Sequence, residues 1–132
     1  MGAGRLEMWA AFPEHLKLLL VCISQTSKGS IPTYDAARYS WKIDPTKAEQ
    51  AEYVIAVSGG IIVGVYKADE WLPATKSHFA DIPPRHANWH KQKKRFGFVG
   101  HRASRQVEQL YLDKSVPHEW RFKGNPIRYV NF

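Results

Sequence analysis

The sequence is short of cysteine, of long apolar runs and of nucleophile or phosphate-loop signatures, and each shortage removes a class of protein. One cysteine, Cys22, in 132 residues leaves no partner for an internal disulfide. A disulfide-stapled secreted scaffold is therefore excluded, and a reduced, cytoplasmic setting is the expectation. The longest apolar run, Leu16 to Ile23, is interrupted by Lys17 and is far shorter than the ~20 residues a spanning helix needs. No membrane partner is expected. Gly-x-Ser-x-Gly, Gly-Lys-Ser/Thr and paired-cysteine motifs are absent, so the usual patterns that expose a nucleophile or cradle a phosphate are missing. Asp69 and Glu70 are adjacent carboxylates, but neighbours on a strand point to opposite faces. His86 and His90 are four apart, whereas zinc needs three or four ligands and Cys22 sits in an apolar segment. No metal and no cofactor are expected, and catalysis is the lesser expectation.

Acidic residues run short in one region only. Up to Pro84 the chain has eight basic and nine acidic residues; from Arg85 onward it has eleven basic residues against Glu108, Asp113 and Glu119. The whole net charge of +7 thus originates in the last third. A one-sided positive field favours a polyanionic partner such as RNA or DNA.

What is present reads as one domain over 1–132, with residues 1–15 as an N-terminal arm. Its 44% hydrophobic content is enough for a core at this length. Lys17 to Ser24 reads as a buried strand followed by a polar loop, and the aromatic stretch Tyr34 to Ile43 as extended or irregular. Asp44-Pro45 is a helix start, because the carboxylate accepts free amides and proline fits the first turn. Two β-branched runs, Tyr53 to Val57 and Ile61 to Tyr66, flank Ser58-Gly59-Gly60 as a hairpin, and Gly64 marks a bulge or close approach. Trp71 to Lys94 reads as a long loop, Arg95 to His101 as a strand, and Ser104 as the cap of a short helix. Trp120 to Lys123 and Ile127 to Phe132 read as closing strands. The sum is an α+β domain: a small curved sheet or partly open β-barrel with short peripheral helices.

The order of these pieces resembles the PUA-like superfamily, in particular its EVE and YTH branches. The matching elements run from Leu18–Ser24 through Trp41, the short helix, the Val54–Tyr66 hairpin and the Trp-bearing insertion to Lys94–Val99. Uncharacterised bacterial domains carry a similar string, here Tyr34-Asp35-Ala36-Ala37-Arg38-Tyr39-Ser40-Trp41-Lys42, Gly60–Tyr66, Arg95–Gly100 and Asn125–Asn131. The resemblance implies a PUA-like fold and, for YTH-like relatives, a pocket that holds an unpaired or flipped base between aromatic rings. In that pattern Trp41 and Trp89 supply the rings. Some relatives of the ASCH type hydrolyse modified nucleosides with a Lys/Thr/Glu set, for which Lys17, Thr26 and Glu70 are the candidates here. A protein-interaction module of a nuclease or defence system is a third reading. The chain departs from YTH domains in its short length and in Asn125–Asn131.

The residues themselves give a candidate site. Trp41, Trp71 and Trp89 offer flat faces on which a base stacks, with core packing as the alternative for Trp41 and Trp71. Trp89 stands among polar neighbours. Tyr34 and Arg38 precede Trp41; Arg38 either forks onto a phosphate or base, or pairs with Asp35. Ser58 and Asn125 are base-edge or turn residues. Lys91, Lys93, Lys94, Arg95, Arg102, Arg105, Arg121, Lys123 and Arg128 form the candidate phosphate track, in which mobile cationic ends follow a nucleic-acid backbone.

Overall fold

The computed structural model describes residues 8–23, 32–82 and 94–132. Its frame is a five-stranded mixed sheet of β1 (Leu18–Cys22), β2 (Tyr53–Ser58), β3 (Ile61–Pro73), β4 (Phe96–Arg102) and β5 (Ile127–Val130), in the order β4-β3-β2-β1-β5. β1 and β2 are parallel, and the other three neighbouring pairs are antiparallel. A parallel pair needs a crossover, and α1 (Thr33–Arg38) and α2 (Pro45–Ala48) lie within it. After β4 come α3 (Arg105–Tyr111) and a 3₁₀ turn at His118–Trp120.

β1 explains why its sequence is apolar without alternation. Leu18 and Leu20 join Ile55, Val65 and Tyr111 on one face. Leu19 and Val21 join Val54, Trp41, Trp71 and Phe98 on the other. A strand covered on both sides has no position to spare for a polar residue. α1 and α2 place Ala37 and Ala48 on the second face, and α3 places Tyr111 on the first.

The capping chemistry read from the sequence is present. Asp44 Oδ1 accepts the Thr46 N–H at 3.0 Å and Pro45 fills the first turn of α2. Ser104 Oγ accepts the Val107 N–H at 3.3 Å at the start of α3. The β2–β3 hairpin turns through Gly59 (φ +58°) and Gly60 (φ +81°), the pair of left-handed residues that suits the twist of the flanking strands. Beside Gly64 the register slips, so that Ala56 faces Gly64 while Val57 faces Ile62, leaving Val63 as the bulged residue.

Three expectations are corrected. The Tyr34–Ile43 stretch is not extended throughout, because Thr33–Arg38 forms α1, where Tyr34, Ala37 and Arg38 pack inward. β3 does not stop at Tyr66 but continues to Pro73, pairing with β2 first and with β4 afterwards. Trp120–Lys123 is no strand; the 3₁₀ turn takes Trp120 and irregular chain follows.

The sheet stays open, yet it curls. β3 runs for 13 residues through two register slips, and bulges bend a strand and increase its twist. Its far half carries β4 over the second face. As a result Trp41, hydrogen-bonded to Phe96 of one edge strand, shares a core cluster with Ile127 of the opposite edge strand.

Candidate functional site

The gap between the two edge strands is a cleft of about 360 Å³ lined by Trp41, Lys42, Arg95 and the Gly124–Ile127 turn. Its position follows from the curl, since β4 and β5 lie at opposite ends of the strand order. Trp41 is fixed on three sides. Its N–H donates to Phe96 O at 2.8 Å, its carbonyl accepts the Phe96 N–H at 2.9 Å, and its indole Nε1 donates to Ala37 O at 2.7 Å. Trp41 is 9% exposed, so the cleft meets the border of a buried residue.

Arg95 is oriented by a bond from Nη1 to Ser40 O at 3.0 Å and has no carboxylate partner among the described residues. Each arm of the paired segment follows a left-handed residue, Ser40 (φ +77°) before Trp41 and Lys94 (φ +60°) before Arg95. Serine and lysine rarely adopt this conformation, unlike asparagine or aspartate, and such strain concentrates where a structure over-determines a site. At the other wall, Asn125 Oδ1 accepts the Ile127 N–H at 2.9 Å, an Asx turn that presents the side-chain amide at the cleft.

The remaining sequence-predicted residues separate clearly. Arg38 is 4% exposed; it donates from Nε to Asp35 at 2.9 Å and from Nη2 to Asp81 at 2.6 Å, while its plane covers the Tyr34 and Phe79 rings. Of its two readings, the bridge to Asp35 is the one formed, extended by Asp81, and Arg38 does not line the Trp41 cleft. Tyr34 is a strap: its hydroxyl donates to Gly100 O and accepts the Gly100 N–H, both at 3.0 Å. Trp71 packs on Phe98 at 5.1 Å within the second-face cluster, 7% exposed. Its indole Nε1 is buried without a hydrogen-bond partner among the described residues. Ser58 is buried at the end of β2, away from the cleft lining.

Among the described candidate phosphate residues, Arg95 alone lines the Trp41 cleft. Arg102 is taken up by Glu108 through two bonds of 2.9 Å, and this pairing holds the Glu108 carboxyl below its ordinary range. Arg105 lines a separate shallow cleft that also contains Glu108 and Asp113. Arg121 lies over Trp9, and Arg128 over Trp120 with a long bond to Glu119 O at 3.3 Å. Lys94 and Lys123 are exposed. Trp89, Lys91 and Lys93, with His86, His90 and Thr26, lie outside the described residues.

Lys42 was not singled out from sequence, although adjacency to Trp41 was a usable signal. Of the Gly124–Ile127 wall only Asn125 was singled out, as a base-edge or turn residue; its place opposite Arg95 was not legible, because only the bend of β3 brings the two together. Lys17 and Glu70 have other settings: Lys17 Nζ bonds Gln50 at 3.0 Å, and Glu70 lies exposed opposite Val99. Among the described residues no group of three or more His, Cys, Asp or Glu is placed to hold a metal, and no helix is long and apolar enough to cross a membrane. Comparison with family models, with curated proteins and with solved structures found no match for the chain.

Proposed function

We propose that this protein is a nucleic-acid-binding module of PUA-like type that holds an unpaired or flipped base, RNA or DNA, at the Trp41 cleft. The observation that carries the reading is the convergence of an aromatic border, two cations without carboxylate partners among the described residues, and a side-chain amide in one gap of about 360 Å³. That volume lies within the range of small-ligand pockets. A base contributes an apolar ring to lie against the exposed border of Trp41 and polar edges for Asn125; the attached phosphate is an anion for Arg95 and Lys42. The excess of positive charge in the last third of the sequence supports the same partner.

The test is a fluorescence-anisotropy titration with single-stranded RNA and DNA oligonucleotides at several salt concentrations. Binding that weakens steeply with salt is expected, because each neutralised phosphate releases a counterion. Arg95→Ala is expected to weaken binding and to reduce the salt slope by about 1. Absence of salt-sensitive binding to either nucleic acid overturns the proposal.

A further inference from the structure

The Trp41 cleft does not end at Asn125. A second cleft of about 300 Å³ lies on the other side of the same turn, sharing Gly124, Asn125 and Pro126 and adding Cys22 and Phe122. A third, of about 340 Å³, shares Phe122 and continues to Arg121, Ile61 and the Gly59-Gly60 turn. Shared lining residues set these three clefts in a row along residues 121–127. At its far end the Arg121 guanidinium stands 5.7 Å from the centroid of Trp9, which is 39% exposed. Trp9 is held there by its bridge to Ser115, itself a lining residue.

The lining has a consistent chemistry. Among the described residues no carboxylate lines any of the three clefts, whereas the cleft beside Arg105 contains Glu108 and Asp113. Three cations elsewhere are neutralised, Arg38 by Asp35 and Asp81, Lys67 by Glu52 and Arg102 by Glu108, while others such as Lys94 and Lys123 stand exposed. The cleft cations Lys42, Arg95 and Arg121 have no such partner among the described residues. Between them the floor is apolar, with Phe122, Pro126 and Ile61. A duplex turns its bases inward and presents phosphates, so it cannot fill apolar floor and cationic rim together. An unpaired strand presents both kinds of surface along its length.

Resting on the reading of the Trp41 cleft as a base site, we infer that residues 121–127 and Trp9 extend it into a track for an unpaired strand of roughly four nucleotides, the low end of what a small β-fold covers. One base occupies the Trp41 cleft, a neighbouring base lies against Phe122, and the Trp9–Arg121 pair takes the far end by stacking and phosphate contact.

The experiment measures affinity of the full chain for labelled thymidine oligomers of roughly two to eight nucleotides, beside a blunt hairpin duplex and an acidic, phenylalanine-containing peptide. Trp9→Ala and Arg121→Glu are the variants, both at exposed positions, with thermal melting as the check on folding. Affinity is expected to climb with length to about four nucleotides and then level, and each variant to lose about tenfold on the longer oligomers and nothing on the shortest. If both variants bind long oligomers as the unaltered chain does while Arg95→Ala weakens them, the extended track is overturned and the base site stands. Equal affinity for the hairpin duplex overturns the unpaired strand. If no oligomer binds, with or without binding of the peptide, both the track and the base reading fall.

Discussion

At the scale of the residue, the aromatic string around Trp41 divides into parts that build and a part that faces outward. Arg38 sits three residues before Trp41 and has the chemistry of a phosphate ligand, yet its fork is spent on Asp35 and Asp81 and its plane on two aromatic rings. Sequence alone left this choice open, because Asp35 was visible and Asp81, 43 residues away, was not. Arg38→Ala would leave two carboxylates without their cation and uncover part of the Tyr34 and Phe79 rings. Both carboxylates keep some access to water, so the loss should fall below that of a fully buried pair, at about 2 kcal/mol. Urea denaturation is expected to show that loss while oligonucleotide affinity per folded molecule stays unchanged; a selective loss of affinity would return Arg38 to the binding site. Trp41 was identifiable because tryptophan is large and rare. Its orientation was not, since it depends on Ala37 O and on pairing with Phe96.

At the scale of the element, local chemistry was legible wherever it is self-contained. The caps at Asp44 and Ser104 and the Gly59-Gly60 turn involve residues within a few positions of one another, and each forms as its sequence indicates. α1 was missed because its boundary residue Pro32 caps it with no side-chain bond, and its aromatic face is ordered by contacts with β3 and β4. The length of β3 was missed for a related reason: Lys67–Pro73 is polar and mixed, and it is a strand because β4 pairs with it. Glycine separates the two kinds of constraint. At Gly100 an added Cβ would lie 2.0 Å from Lys67 O, backbone against backbone across the second slip of β3, whereas at Gly59 it would meet nothing and only the φ of +58° resists. Gly100→Ala is therefore expected to cost about 3 kcal/mol, the upper end for overpacking, and Gly59→Ala about 1 kcal/mol, the lower end for a left-handed residue. Chemical denaturation of the two variants checks the order; comparable losses would mean that β3 and β4 shift apart easily at the bulge.

For the whole molecule, the charge asymmetry was legible and its destination was not. Arg95 and Arg121 are both in the basic third, but the row of clefts they border exists because a bent strand sets one sheet edge opposite the other. The packed interior encloses phenols that give the fold an alkaline limit, Tyr66 on the second face of the sheet and Tyr39 in a separate cluster with Phe79 and Ile82. Burial pushes Tyr66 and Tyr39 each up to about 12 from 10.0. An unfolded chain releases these protons near pH 10, so stability is full below that value and falls as pH rises from about 10 toward 12, where the folded form at last ionises. The acid limb has the opposite sign. The Glu108 carboxyl is held below its ordinary 4.5 because it accepts from Arg102, so its contribution is present above that pH and is lost on further acidification. Denaturation midpoints measured across pH should therefore give a plateau with two falling sides. Tyr66→Phe keeps the ring on Phe98 and Tyr34 and is expected to flatten the alkaline side alone, while Glu108→Gln flattens the acid side alone. Phenolate absorbance followed in parallel should show tyrosines that ionise together with unfolding. An alkaline fall that Tyr66→Phe and Tyr39→Phe both leave unchanged would mean that these hydroxyls reach water without opening the sheet, and that the interior is looser than its packing implies.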